Sequence, residues 1–253
     1  MKLKAKAYLR IAAEDWRDKY DYVGDFDDFT DFAEVKLDGK KGLVNEEGEE
    51  VVPPEYDYVG DFCNGLFRVM LDDKWGFVDE TGTVVIPLKY DEVEDFDHLT
   101  GLAAVNVGGK WGFINEDDEE VIELKYDHVD YFDNGLIKVK LGLKWGFINL
   151  RDKVVIPLKY DEVKEFHGGL VAVRLGDEKT GKWGFFNEQG KEVIPPKYEQ
   201  VRFFYEDLTT KVKIEGMWGK IDKTGKEVVP PEYLTAVKLG GDIDRILEIE
   251  GLQ

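Results

Sequence analysis

An all-β repeat fold, closed as a seven-bladed β-propeller, is what this sequence predicts, on three observations. A Trp-Gly pair recurs at Trp75-Gly76, Trp111-Gly112, Trp145-Gly146, Trp183-Gly184 and Trp218-Gly219. From each Trp to the Tyr of the following repeat the distance is fifteen residues, from 75 to 90 through to 218 to 233. Between these marks apolar residues alternate with period two, and no segment sustains the 3.6-residue pattern of a helix. Self-similarity at a fixed period is the mark of units that bury their apolar faces only against their neighbours.

One unit, Tyr126 to Lys159, supplies the elements in order. His128–Phe132 reads as a first strand. Leu136–Leu141 alternates inward and outward as a half-buried second strand should. After a turn at Gly142, Lys144–Asn149 is the third and Lys153–Ile156 the fourth. Turn residues separate them: Asn134-Gly135 before the second strand, and Thr81-Gly82, Gln189-Gly190 or Thr224-Gly225 before the fourth in sister copies. Pro157, lacking an N–H, is expected to end the ladder.

Tyr20, Tyr56, Tyr90, Tyr126, Tyr160, Tyr198 and Tyr233 fall at spacings of 36, 34, 36, 34, 38 and 35. With Trp-to-Tyr constant, every change in length lies between a Tyr and the next Trp. Residues 1–253 are read as a single repeat domain with units 20–55, 56–89, 90–125, 126–159, 160–197 and 198–232. A seventh unit is assembled from 233–253 plus 1–19. Ile246–Ile249 then takes the second-strand position and Lys4–Leu9 the third, and a blade shared between the two termini closes the circle and hides two sheet edges. The alternative is an open or spiral β-repeat solenoid, in which the half-repeats serve as caps.

Composition narrows the function classes. Apolar residues make up 43% and aromatics 13%, enough for a substantial core. Lys plus Arg number 34 against 54 Asp plus Glu, a net charge of −20 that repels phosphate backbones and anionic membrane surfaces. No apolar run approaches the ~18 residues of a membrane span. A lone cysteine, Cys63, forms no intramolecular disulfide, which suits a reducing cytoplasm. No nucleotide-binding loop, dinucleotide fingerprint or Gly-x-Ser-x-Gly elbow is present. His98, His128 and His167 occupy different phases of the repeat. The sequence calls for no cofactor, no metal and no catalytic residue.

Gly-Leu-x-x-Val, Lys-Trp-Gly-Phe-Ile-Asn and Val-Ile-Pro-x-Lys-Tyr-Asp-x-Val-x-x-Phe follow one another through nearly the whole chain. Together they resemble the WG-containing, or KWG, repeat of bacterial proteins. The resemblance implies a β-rich, propeller-like repeat without a common catalytic activity. The chain departs from the pattern at Lys41-Gly42, where Trp-Gly is expected, and at Ile122-Glu123 in place of Ile-Pro. Val84–Val93 and Val154–Val163 are identical, as recent duplication or deliberate design would leave them.

The repeated Trp and Gly residues read as structure. Tryptophans at one phase need one environment, and a slot between neighbouring sheets supplies it. Truncating such a Trp to Ala is expected to cost about 3–5 kcal/mol. The following Gly admits a neighbouring backbone or indole. The joint at Lys41 must pack differently. Asp of each Tyr-Asp pair is expected to set the corner into the first strand as an Asx turn. The run Glu116–Glu120 reads as a solvated hairpin, and Cys63 as a semi-buried structural thiol.

Binding is assigned to the half of the repeat that varies. Asp97 and His98 in the loop 96–101, Asp177 and Glu178 in 176–182, and Phe203 and Tyr205 in 203–208 are the contact residues expected. The reading is a non-enzymatic scaffold that presents these loops to a protein of neutral or basic surface. The chain itself is expected to be a cytoplasmic monomer, with neither nucleic acid nor membrane as partner. Three other readings stay open: a lectin-like module stacking sugars on exposed aromatics, a hydrolase with carboxylates about 5–9.5 Å apart, and a duplicated or designed scaffold without a ligand.

Overall fold

The computed structural model describes residues 16–27, 30–133, 135–204 and 208–236. Through these the chain forms six four-stranded antiparallel sheets, each a meander of consecutive strands. Sheet one holds β1 (Tyr22–Phe26), β2 (Ala33–Leu37), β3 (Lys40–Val44) and β4 (Glu50–Tyr56). Sheet two holds β5 (Tyr58–Cys63), β6 (Leu66–Leu71), β7 (Lys74–Asp79) and β8 (Val84–Tyr90). Sheet three holds β9 (Glu92–Val93), β10 (Ala103–Val107), β11 (Lys110–Ile114) and β12 (Glu120–Tyr126). Sheet four holds β13 (His128–Asp133), β14 (Leu136–Leu141), β15 (Lys144–Asn149) and β16 (Val154–Tyr160). Sheet five holds β17 (Glu162–His167), β18 (Leu170–Leu175), β19 (Lys182–Asn187) and β20 (Glu192–Tyr198), and sheet six β21 (Gln200–Val201), β22 (Thr209–Ile214), β23 (Met217–Asp222) and β24 (Glu227–Tyr233). A 3-10 turn, Trp16–Lys19, is the only helical element among the described residues.

The all-β repeat of propeller-type, four-stranded sheets therefore stands as the sequence predicts. The chain groups into two compact units, Met1–Leu124 and Lys125–Gln253. The expected pairing of Lys4–Leu9 with Ile246–Ile249 lies outside the described residues.

The constant Trp-to-Tyr spacing is a hairpin register. Trp75 pairs with Tyr90, Trp145 with Tyr160, Trp183 with Tyr198 and Trp218 with Tyr233, and Lys41 pairs with Tyr56 where the Trp is missing. An inserted residue would move every partner of the hairpin to the wrong face. Of the turns between second and third strands, the one from Leu175 to Lys182 is long, whereas Leu141 pairs with Lys144 across two residues.

One expectation is corrected here. The fourth strand does not stop at Ile156: β16 continues through Pro157 to Tyr160. Two circumstances permit this. β16 is an edge strand of its sheet, so a missing N–H costs no ladder bond on its outer side. The register also shifts between Trp145 and Phe147, so that Pro157–Lys159 bulge opposite Gly146. That bulge explains the glycine. A Cβ at Gly146 would stand 2.5 Å from the Ile156 carbonyl oxygen, and the same overlap, 2.4–2.7 Å, recurs at Gly42, Gly76, Gly112, Gly184 and Gly219. The close neighbour is backbone of the sheet's own fourth strand rather than an indole.

Apolar clusters knit successive sheets within each unit. Phe77, Ile86 and Tyr90 of sheet two pack with Phe96, Val105 and Ile114 of sheet three. Phe147, Ile156 and Tyr160 of sheet four pack with Phe166 and Val173 of sheet five, and Trp183, Phe185 and Tyr198 of sheet five with Val212 and Ile221 of sheet six. The Phe two residues after Trp and the paired Tyr are among the largest buried side chains: Phe147 is 2% exposed and Tyr160 is 0%.

Candidate functional site

Polar joints between sheets hold the site. In the second joint, Arg68 of β6 donates from Nη1 to the Val93 carbonyl oxygen at 3.1 Å, and its Nε lies 3.5 Å from Asp95. Its guanidinium carbon sits 5.3 Å above the Trp75 ring. Lys138 of β14 repeats the pattern: Nζ is 2.5 Å from Asp130, 3.3 Å from Glu165 of the next sheet and 5.5 Å over Trp145. Burial works against this ammonium's charge, but Asp130 and Glu165 outweigh it and hold the Lys138 pKa above its ordinary value.

Cations lie over buried and half-buried tryptophans alike. The environment is not uniform: Trp183 and Trp218 are buried, whereas Trp75, Trp111 and Trp145 are half-buried. Lys164 lies 4.7 Å above the Trp183 ring and Arg202 5.7 Å above that of Trp218. A half-exposed indole face under a cation gains from the ring quadrupole as well as from burial.

The first joint is built differently. Register places Glu34 beside Val35 as Arg68 lies beside Val69 and Lys138 beside Val139. Here the sheet carries an anion where sheets two, four and six carry Arg68, Lys138 and Lys211 and sheets three and five carry Ala104 and Ala172, and it carries Lys41 where its sisters carry Trp. Glu34 turns back on its own sheet, pairing with Lys41 at 2.9 Å and Lys36 at 3.4 Å. Lys41 Nζ sits 5.4 Å over Tyr58. Asp61, two residues past Val59 as Asp95 is past Val93, receives no cation from sheet one. Gly60 supplies no side chain at the position where Glu94, Asp130, Lys164 and Arg202 stand in later sheets.

A pocket of about 440 Å³ opens at this joint. Its floor includes Phe32, Leu43, Phe62 and Phe67, with Phe62 and Phe67 ring centroids 4.8 Å apart. Its rim carries Asp25, Asp27, Glu34 and Asp61. Asp27 Oδ1 accepts the Thr30 amide at 2.9 Å and hydroxyl at 3.0 Å, which builds the β1–β2 connection. Asp25 and Asp61 are exposed carboxylates. The arrangement can hold an apolar stem on aromatic rings with a cationic head at the rim. Among the described residues no group of three or more His, Cys, Asp or Glu could hold a metal ion, and no helix is long and apolar enough to cross a membrane.

The contact residues expected from sequence fall on separate loops. Asp97 accepts the Leu99 amide at 3.2 Å and the Thr100 amide and hydroxyl at 2.8 Å, so its carboxylate organises the β9–β10 connection. Burial pushes its pKa up, but the Thr100 and Leu99 bonds prevail and hold it low. Asp177 does the same in the β18–β19 turn, accepting from both donors of Thr180 and from the Lys179 amide, and those bonds lower its pKa. His98 and Glu178 are exposed beside them. Phe203, 39% exposed, stacks on His167 with centroids 4.2 Å apart. Tyr205 lies outside the described residues.

Two smaller expectations change in detail. Asp of the Tyr-Asp pair does not cap its own corner. It accepts an amide of the β-hairpin between second and third strands, as Asp91 does from Gly108 at 2.6 Å and Asp161 from Gly176 at 2.8 Å. It also takes the Lys of the Lys-Trp-Gly triplet, Lys74 at 2.5 Å and Lys144 at 2.6 Å. In the acidic run, Asp118 is not simply solvated: it receives Lys89 at 2.5 Å and the Tyr90 hydroxyl at 2.6 Å. Cys63 is semi-buried as expected, its thiol donating to the Phe96 carbonyl oxygen at 3.2 Å.

Sequence reasoning passed over the pocket residues because each is ordinary alone. The available signal was relational: Gly60, Glu34 and Lys41 break the repeat together, at positions that converge only in three dimensions.

Among solved structures, the chain is similar to a eukaryotic initiation factor at 13% identity over 78% of this chain and 62% of that one, TM-score 0.41. It is also similar to Kluyveromyces lactis Hsv2 at 13% identity over 84% of this chain and 77% of that one, TM-score 0.38. PorZ of Porphyromonas gingivalis is similar at 10% identity over 83% of this chain and 34% of that one, TM-score 0.32. The chain thus spans 62% of the length of the initiation-factor chain. No curated protein matches the sequence. The model of the family described as WG containing repeat matches residues 42–75, 75–111, 111–145, 145–178, 183–218 and 218–233. Those consecutive matches carry the hairpin register, the Gly-bulge contact and the cation-capped indoles described above, and the chain belongs to the WG-containing repeat family.

Proposed function

We propose that this chain is a non-enzymatic binding scaffold whose ligand is a protein of neutral or basic surface. The observation that carries the reading is the pocket at the first joint, where an apolar floor lies beneath a carboxylate rim. Stable association needs a desolvated apolar centre, with polar groups at its edge to orient the partner. A net charge of −20 steers a basic partner toward such a surface and repels acidic ones. Chemical cross-linking in the source cells, followed by reconstitution with the purified partner, tests the reading. A saturable complex that survives physiological salt is expected. Failure of any cross-linked protein to rebind the purified chain would overturn it.

Phe203 supports a second reading, a sugar-stacking surface. It is an exposed ring next to Arg202, at the phase that Asp25, Asp61 and Asp95 occupy in the first three sheets. Glycan-array binding that Phe203→Ala abolishes would favour it over the protein-binding reading.

A further inference from the structure

The first joint differs from the second and fourth by a reversal of polarity, and that reversal specifies a ligand. In the second joint the cation of Arg68 spans from its own sheet's Trp75 to Asp95 of the next sheet. In the fourth, Lys138 spans from Trp145 to Glu165. In the first, the corresponding pair is Glu34 and Lys41, bound to each other at 2.9 Å within sheet one. The acid of the next sheet, Asp61, receives no cation from sheet one, and it lines the same pocket as Asp25 and Glu34. Like charges around one apolar cavity repel each other, and a positive group placed among them relieves the repulsion.

We infer that this pocket takes an arginine or lysine side chain from an extended segment of the partner, in the place that Arg68 and Lys138 fill from within the chain. The inference rests on the protein-binding reading above and gives that partner its chemistry. The stem of the incoming residue lies on Phe62, Phe67 and Leu43, and its head reaches Asp61 and Asp25. Arg suits the site better than Lys, since a planar guanidinium both stacks on aromatic rings and bridges two carboxylates. Apolar residues on either side of it would cover the remaining floor around Phe32. The second and fourth joints show why the site opens at the first. There cations of the chain itself span the joint, Arg68 to Glu94 and Lys138 to Glu165.

The test uses the full chain and a fluorescein-labelled Leu-Arg-Leu-Arg-Leu peptide, followed by anisotropy, with Leu-Glu-Leu-Glu-Leu as comparator. The arginine peptide is expected to bind, the glutamate peptide not. Combining Asp25→Asn with Asp61→Asn should weaken binding about tenfold or more. Combining Glu116→Gln with Asp117→Asn removes the same charge from the exposed β11–β12 turn and should change it less than about twofold. Glu34→Arg with Lys41→Trp rebuilds the sister joint, and should abolish binding while raising the melting temperature. Equal losses from the pocket and turn variants, or undiminished binding to the rebuilt joint, would overturn the inference. So would pocket-dependent binding of calcium alone without peptide binding, or a dimer in ultracentrifugation that the pocket variants dissociate. A reconstituted partner that binds the Asp25 and Asp61 variant undiminished removes the pocket from the account and leaves the scaffold reading standing. Loss of both peptide and partner binding in the parent chain removes both.

Discussion

Tyr90 donates its hydroxyl to Asp118 at 2.6 Å, and Lys89 reaches the other oxygen of the same carboxylate at 2.5 Å. The Tyr and Lys end one sheet, and the Asp sits in the third-to-fourth turn of the next. Tyr126 and Lys125 grip Asp152 in the same way, and Tyr20 and Lys19 grip Glu50. Tyr90→Phe is therefore expected to cost about 1.5–3 kcal/mol, the range for a hydrogen bond to a charged acceptor. Denaturant unfolding of Tyr90→Phe, Asp118→Asn and the double variant measures it. Strict additivity of the two single losses would show that the clamp does not exist.

Tyr160 breaks the series, and its neighbour predicts the opposite outcome. Its hydroxyl is buried without a hydrogen-bond partner, because Gly190 stands in the next turn where Asp118 and Asp152 stand elsewhere. Tyr160→Phe removes an unsatisfied polar atom and keeps the ring against Phe186. Its melting temperature should equal or exceed that of the parent, while Tyr126→Phe falls. A loss at Tyr160 as large as at Tyr126 would contradict this.

The same tyrosines set a limit at high pH. Burial, then the bond to Asp152, pushes Tyr126 up to about 12, burial pushes Tyr160 up to about 12, and Tyr90 is also raised. An unfolded tyrosine ionises near about 10. Since the folded values are the higher, this stability is present in full below about pH 10 and is lost as pH rises from there through about 12. Thermal melts across that window should fall steeply, and tyrosinate absorbance of the folded chain should lag that of free tyrosine. A titration of all twelve tyrosines at the ordinary value would refute the burial argument.

Gly146→Ala is expected to destabilise strongly, about 1–3 kcal/mol or more, because its Cβ would meet the Ile156 carbonyl oxygen at 2.5 Å. Gly142→Asn is the control: it sits at φ +62°, a Cβ there would meet no atom within 4 Å, and Asn tolerates that region. Melting temperatures of the two variants decide whether close backbone approach or turn conformation governs the glycine.

Cys63 should react slowly with a thiol reagent in the folded chain and at the ordinary rate after unfolding. Burial first, then the Asp95 and Asp97 carboxylates, pushes its thiol pKa up, so little thiolate is present near neutrality. Fast modification of the native protein would count against this environment.

Residue order alone specifies the repeat, its strands and its strictest spacing. Trp145 and Tyr160 are cross-strand partners in a hairpin whose turn and bulge repeat at one length, so the constraint is visible as arithmetic. The glycine after each Trp is legible in the same way. That its neighbour is the bulge at Pro157 is not, since bulge and edge position are properties of pairing rather than of residue order. The joints come from packing. Arg68 and Asp95, or Tyr90 and Asp118, lie on different sheets, and charge patterns along one chain do not reveal which acid a cation reaches. The pocket belongs to the same class: Glu34, Lys41 and Asp61 meet because successive sheets pack together, and electrostatic complementarity acts through space at a few ångströms rather than along the backbone.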